Sequence, residues 1–189
     1  MDTFATRIRR PSRTARTDGR AERRRLARQD VLSSRLAELH AISDLLERAG
    51  DMVDHGWIQG GWFTVATPRG EAVVMAYDVD LARSHPVTGA CLVGAVVHAG
   101  GGPEAASTQL VQRTLDLTWH AVRGDLEPPA TLCPSPAVRK MRLNDLTRWN
   151  DAPGRTRAEV VGMLAAAREL SVVRAEGCRA ERDAVSLAR

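Results

Sequence analysis

The segment Gly89–Ala99 limits the possible folds more than any other stretch of this chain. Cys91, Leu92, Val93, Ala95, Val96 and Val97 leave it without a polar side until His98. A short helix that is apolar nearly all round belongs at the centre of a core, with other elements on every side. Thr88 is its expected cap, and Gly94 with Ala95 keep one side thin enough for a neighbour to approach closely. The run is far shorter than a bilayer span, so no membrane association is expected.

The rest of the chain supplies the shell. Beyond a cap at Ser33 or Ser34, Leu36, Leu39, Ile42, Leu46, Ala49 and Val53 recur at spacings of three and four, an amphipathic helix that stops near Gly56. Pro103 suits the first turn of a helix running to about Val122, with Val111, Leu115, Thr118 or Trp119, and Val122 on its apolar side. Ala137–Trp149 is a further helix, with Val138, Met141, Leu143 and Leu146 apolar. The strongest local signal runs from Arg148 to Leu170. Pro153-Gly154 makes a turn, and Thr156 caps the next helix. Glu159 reaches back to complete a capping box. Val160, Met163, Leu164, Ala167 and Leu170 then form its apolar face.

Between the first and second helices the pattern changes. Trp62–Ala66 and Ala72–Tyr77 favour strands, and Thr67-Pro68-Arg69-Gly70 joins them with Pro second and Gly fourth, as a type I turn prefers. A two-stranded ribbon of this size must lean on the helices. His85-Pro86 reads as an irregular link, and Gly124–Pro136, with four prolines, as a loop. The expected architecture is mainly α: a compact multi-helix domain with a small β ribbon over residues 33–171. A disordered Arg-rich arm over residues 1–32, with Glu22–Gln29 as a basic helical lead-in, precedes it, and a frayed helical tail over residues 172–189 follows.

Charge is segregated in the same way. Residues 1–30 hold ten arginines against Asp2, Asp18, Glu22 and Asp30, a local charge of +6. The whole chain carries +4, so the remainder carries −2. Arg7, Arg9, Arg10, Arg13, Arg16, Arg20, Arg23, Arg24, Arg25 and Arg28 are therefore the candidate nucleic-acid contacts. Such a segment neutralises phosphates of DNA or RNA with little sequence preference, and an acidic protein is the competing partner. No helix-turn-helix spacing or RNA-binding signature points to specific readout. The N-terminal charges precede no apolar segment, so a secretory signal is not expected.

Cys91, Cys133 and Cys178 are an odd number with no Cys-x-x-Cys pair, which fits a reducing cytoplasm better than a disulfide framework or a structural zinc site. His40, His55, His85, His98 and His120 show no ligand spacing either, so no metal or cofactor is expected. Gly100-Gly101-Gly102 lacks the Lys-Ser/Thr of a phosphate loop. One arrangement suggests catalysis. Cys91 stands near a helix N-terminus, where a thiolate is stabilised. His120 (or His98) would be its base, and Asp151 (or Asn150) the orienting group. Against this stands Cys91 as a small buried residue at a helix contact. For Asn150 and Asp151, hydrogen bonds within their own turn before Pro153-Gly154 are the plain alternative.

Cys91-Leu92-Val93-Gly94-Ala95, Trp149-Asn150-Asp151 and Arg155-Thr156-x-x-Glu159-Val160 together resemble the pattern of a small uncharacterised domain of actinobacteria and their phages. The resemblance covers Leu39 to Glu169 and includes the Gly56-Trp57 helix exit. It implies domain limits and no activity. The leading expectation is a non-enzymatic accessory or regulatory protein, touching nucleic acid through the arm and a protein partner through the body. A Cys91-dependent hydrolase or transferase and a subunit of a larger assembly are the alternatives.

Overall fold

The computed structural model describes residues 13–76, 78–125 and 134–187. Six helices and three short strands follow in the order α1 (Arg13–His55), β1 (Phe63–Thr67), β2 (Gly70–Val74), α2 (Val79–Ser84), β3 (Val87–Ala90), α3 (Leu92–Ala99), α4 (Gln109–Val122), α5 (Pro136–Asn150) and α6 (Arg157–Leu187). The mainly α architecture with a small sheet is the one that periodicity anticipates.

Helix α3 sits where its composition demands. Residues 92–97 are all buried. Helices α1, α4 and α5 pack on it, and β3 leads directly into it. A Cβ on Gly94 would lie 2.0 Å from the Trp62 carbonyl oxygen, so only glycine lets the β1 approach cross the helix there. The N-cap is Cys91, whose Sγ accepts from Gly94 N at 3.3 Å. Thr88 lies instead in β3, with its hydroxyl on Thr64 Oγ1.

The ribbon is a three-stranded antiparallel sheet in the order β2-β1-β3. The turn Pro68-Arg69 falls where expected, with Thr67 opposite Gly70. The second strand ends at Val74 and the third was not anticipated, because Val87–Ala90 is short and carries a glycine. Gly89 and Gly56 are required there: a Cβ on Gly56 would meet Thr88 O at 2.2 Å. Pro103–Ser107 forms a separate 3-10 turn, and α4 starts afresh with Thr108 as its N-cap. The capping box of α6 forms as read from the sequence: Thr156 N donates to Glu159 Oε2 at 2.8 Å, and Glu159 N to Thr156 Oγ1 at 3.3 Å.

The largest departure from expectation is at the N-terminal end. The arm expected to be disordered through residue 32 is helical from Arg13, while the tail beyond residue 171, expected as a frayed helix, continues α6 to Leu187. The two stretches stabilise one another. Helices α1 and α6 run antiparallel: Arg157 Nη1 donates to Asp54 O at 2.9 Å, Arg168 pairs with Glu47 at 3.4 Å, and Arg28 pairs with Glu181 at 2.6 Å. From Asp54 back to Arg28 this spans about 39 Å at the α-helical rise. Leu32, Leu36, Leu39, Ser43 and Leu46 are buried at alternating spacings of four and three, the period of a coiled-coil seam. Leu32, Leu36 and Leu39 form a cluster with Ala175 and Cys178, separate from the main core. Burying such side chains contributes roughly 1.5–3 kcal/mol each for the larger ones, enough to order helices that composition alone marks as solvated.

Candidate functional site

The helix turns part of the expected arm into an ordered basic surface. Arg20, Arg23 and Arg24 are exposed and border one shallow concavity with Ala27. Their spacing of three and four places them on one side of α1. Among the described residues these three make no ion pair, whereas Arg25 pairs with Glu22 at 2.7 Å and Arg28 with Glu181. The Glu22 hydrogen bond, then its charge, raises the pKa of Arg25 above its usual value. Arg13 and Arg16 fall in the same helix, and Arg7, Arg9 and Arg10 lie outside the described residues.

The suggested catalytic trio is not assembled into a relay by the described hydrogen bonds. Cys91 is 1% exposed. Burial pushes its thiol up to about 11, outweighing the backbone N–H of Gly94 that favours the thiolate. At neutral pH it is a protonated cap. His120 is buried with Nδ1 2.9 Å from Asp125 Oδ2. Asp151 Oδ1 accepts from Gly60 N at 3.1 Å and from Asn150 Nδ2 at 2.8 Å. His98 is exposed and meets the Phe63 ring edge-on at 6.3 Å. Cys133 lies outside the described residues, and Cys178 is buried between α1 and α6 with Sγ donating to Leu32 O.

What gathers the marked residues of the sequence is Asn150. Its side chain is wholly buried. Oδ1 accepts from Trp57 Nε1 at 3.0 Å and from Leu92 N at 3.1 Å, and Nδ2 donates to Ile58 O at 3.1 Å. Gln59 Nε2 donates to the Asn150 carbonyl at 2.9 Å. The amide thus ties the exit of α1, the N-terminus of α3 and the end of α5 into one node. Asn150 and Asp151 were expected to bond within their own turn; they chiefly reach back to residues 57–60 and 92. Trp149 is covered by Arg155, whose guanidinium carbon stands 3.8 Å from the ring centroid while its Nε donates to Trp149 O.

A second polar cluster, between α4 and α5, escaped sequence reasoning because its members are unremarkable singly. Asp116 is buried on α4, facing Arg139 and Arg142 of α5. No three His, Cys, Asp or Glu side chains among the described residues are grouped to hold a metal ion. No described helix is long and apolar enough to cross a membrane.

The fold and its polar node define a small mainly helical domain built on an antiparallel helix pair. The sequence profile of DUF6197, a family of unknown function, matches residues 37–170, and the chain belongs to that family. No curated protein and no solved structure matches the chain.

Proposed function

We propose that this is a non-enzymatic accessory protein that contacts DNA or RNA through the basic side of α1 and holds a protein partner on its body. The observation that carries the reading is the exposed set Arg20, Arg23 and Arg24, without an ion pair among the described residues, on one side of a helix braced by α6. Guanidinium groups held on a helix lose less freedom on meeting phosphates than groups on an unfolded chain. The family profile begins at residue 37, so this basic stretch lies outside the matched residues. For the partner, edge strand β2 offers unpaired backbone groups beside exposed Val73 and Met75. A cytoplasmic setting agrees with the free thiols of Cys91 and Cys178. A single lysine among 27 basic residues agrees with a GC-rich source such as an actinobacterium or its phage.

The test is fluorescence anisotropy with a labelled DNA duplex over a salt series. Each phosphate contact contributes about 0.9 to the slope of log affinity against log salt. Replacing Arg20, Arg23 and Arg24 together by Gln is expected to lower that slope by about 2 to 3, with the fold unchanged. An unaltered slope and affinity would overturn the reading.

A further inference from the structure

The cleft between α4 and α5 has a volume of about 340 Å³. Its floor is apolar, from Leu115, Leu143 and Leu146. Its polar side is built from Asp116, Arg139 and Lys140, with Arg142 behind. Asp116 is 2% exposed, yet only one of its oxygens is hydrogen-bonded. Oδ1 accepts from Arg142 Nη1 at 3.2 Å. Arg142 is itself fixed over the Trp119 ring, 4.4 Å from the centroid, and Trp119 Nε1 donates to Asp145 at 3.0 Å. Asp116 Oδ2 has no hydrogen bond, and the Arg139 Nε that faces it at 3.5 Å has none either. The two atoms form a buried ion pair without a hydrogen bond, so Asp116 Oδ2 keeps acceptor capacity that a further donor can use.

The charge balance says which kind. Arg139, Lys140 and Arg142 stand against the carboxylates of Asp116 and Asp145, a surplus of one positive charge. Pro136 at the start of α5 also lines the cleft, so the positive end of that helix dipole adds to the field. An anion is attracted, a planar one best by the free fork of Arg139. The floor asks for an apolar body, and Asp116 Oδ2 asks for a donor. We propose that the α4–α5 cleft binds a small 2-hydroxy carboxylic acid with an aliphatic side chain. Arg139 turns from Asp116 to clamp the carboxylate, the hydroxyl donates to Asp116 Oδ2, and the aliphatic chain lies on Leu115, Leu143 and Leu146. A plain fatty acid lacks the donor, and an α-amino acid brings a cation into a site already positive.

The probe is 2-hydroxy-4-methylpentanoate, titrated into the full-length chain while the Trp119 indole N–H and the α4 and α5 amides are followed by NMR. Saturable shifts centred on these helices are expected. 4-Methylpentanoate and L-leucine should bind at least tenfold more weakly, and acetate should not saturate. Arg139→Gln should weaken binding at least tenfold in a protein whose amide spectrum remains that of the folded chain, with a lowered melting midpoint from loss of the Asp116 pair, and Lys140→Gln about threefold. Arg148→Gln, on the exposed side of α5, should leave it unaltered. Absence of shifts at millimolar probe, equal response to acetate, or full binding by a folded Arg139→Gln protein would each overturn the proposal. Tighter binding of L-leucine or of 4-methylpentanoate would overturn the role of Asp116.

Discussion

Within one helix, Ile42, Leu45, Leu46, Ala49 and Val53 are buried in the main core, while Leu26 and Val31 nearer its start are about half exposed or more. The body and the two-helix extension therefore rest on different physics. In the body, α1, α3, α4, α5, α6 and the sheet share one continuous cluster, and the Asn150 side chain satisfies the Trp57 indole N–H, the Leu92 N–H and the Ile58 carbonyl at once. In the extension, a single seam of Leu32, Leu36, Leu39, Ala175 and Cys178 holds two helices, with exposed ion pairs such as Arg28–Glu181 alongside. Exposed pairs of that kind contribute about 0–1 kcal/mol. A core closed on every side stabilises the fold; a one-sided seam displays charge while keeping the backbone ordered.

The sharpest way to break the contrast is at the node. Asn150→Ala leaves the buried Leu92 N and the half-buried Trp57 Nε1 and Ile58 O without their partner, an expected loss of about 3 kcal/mol in a denaturant titration. Because the node joins three segments, unfolding should remain a single transition with a lower midpoint. Gly94→Ala forces a methyl against the Trp62 carbonyl, with an expected loss of about 3 kcal/mol on the same assay.

In the extension the outcome should differ in kind. Leu36→Ala removes one of five buried seam residues, an expected local loss of about 2 kcal/mol. Amide exchange should accelerate in residues 19–39 and 175–187 while the body keeps its protection. Equal acceleration throughout would mean that the two regions form one cooperative unit.

The smallest effect belongs to the cap of α6. Backbone and side-chain hydrogen bonds from Thr156, in that order, hold Glu159 below its ordinary pKa, with a smaller contribution from Arg155. A depressed folded pKa contributes stability that is present above the unfolded pKa, about 4.3, and lost as pH falls through the folded one. The melting midpoints of the wild type and Glu159→Gln should therefore differ near neutrality and converge toward about pH 3. A constant gap would contradict the assignment.

These same contrasts explain what could be read in advance. The capping box was legible because Thr156 and Glu159 are three residues apart, and the tight approach at Gly94 because an apolar helix needs a thin side. The role of Asn150 was hidden because its partners, Trp57, Ile58 and Leu92, are remote in sequence, and nothing local marks an amide as a node. The helical character of the tail and the Leu36–Leu39 face were legible, but the pairing of the two ends was hidden for a related reason: each is rich in Arg, Glu and Ala and looks solvated alone until Leu32, Leu36 and Leu39 meet Ala175 and Cys178. The α4–α5 cleft likewise exists only once Asp116 and Arg139 are brought together.

The central claim is that a tightly closed body carries a less stable but folded helical pair presenting Arg20, Arg23 and Arg24. Native-state hydrogen exchange resolved by residue tests it most directly. The account predicts slowest exchange over residues 42–53, 92–97, 111–118 and 160–167. Residues 20–31 and 179–187 should show intermediate protection, well above that of an unfolded chain. Protection in residues 20–31 at the level of an unfolded chain, or equal to that of the body, would contradict it.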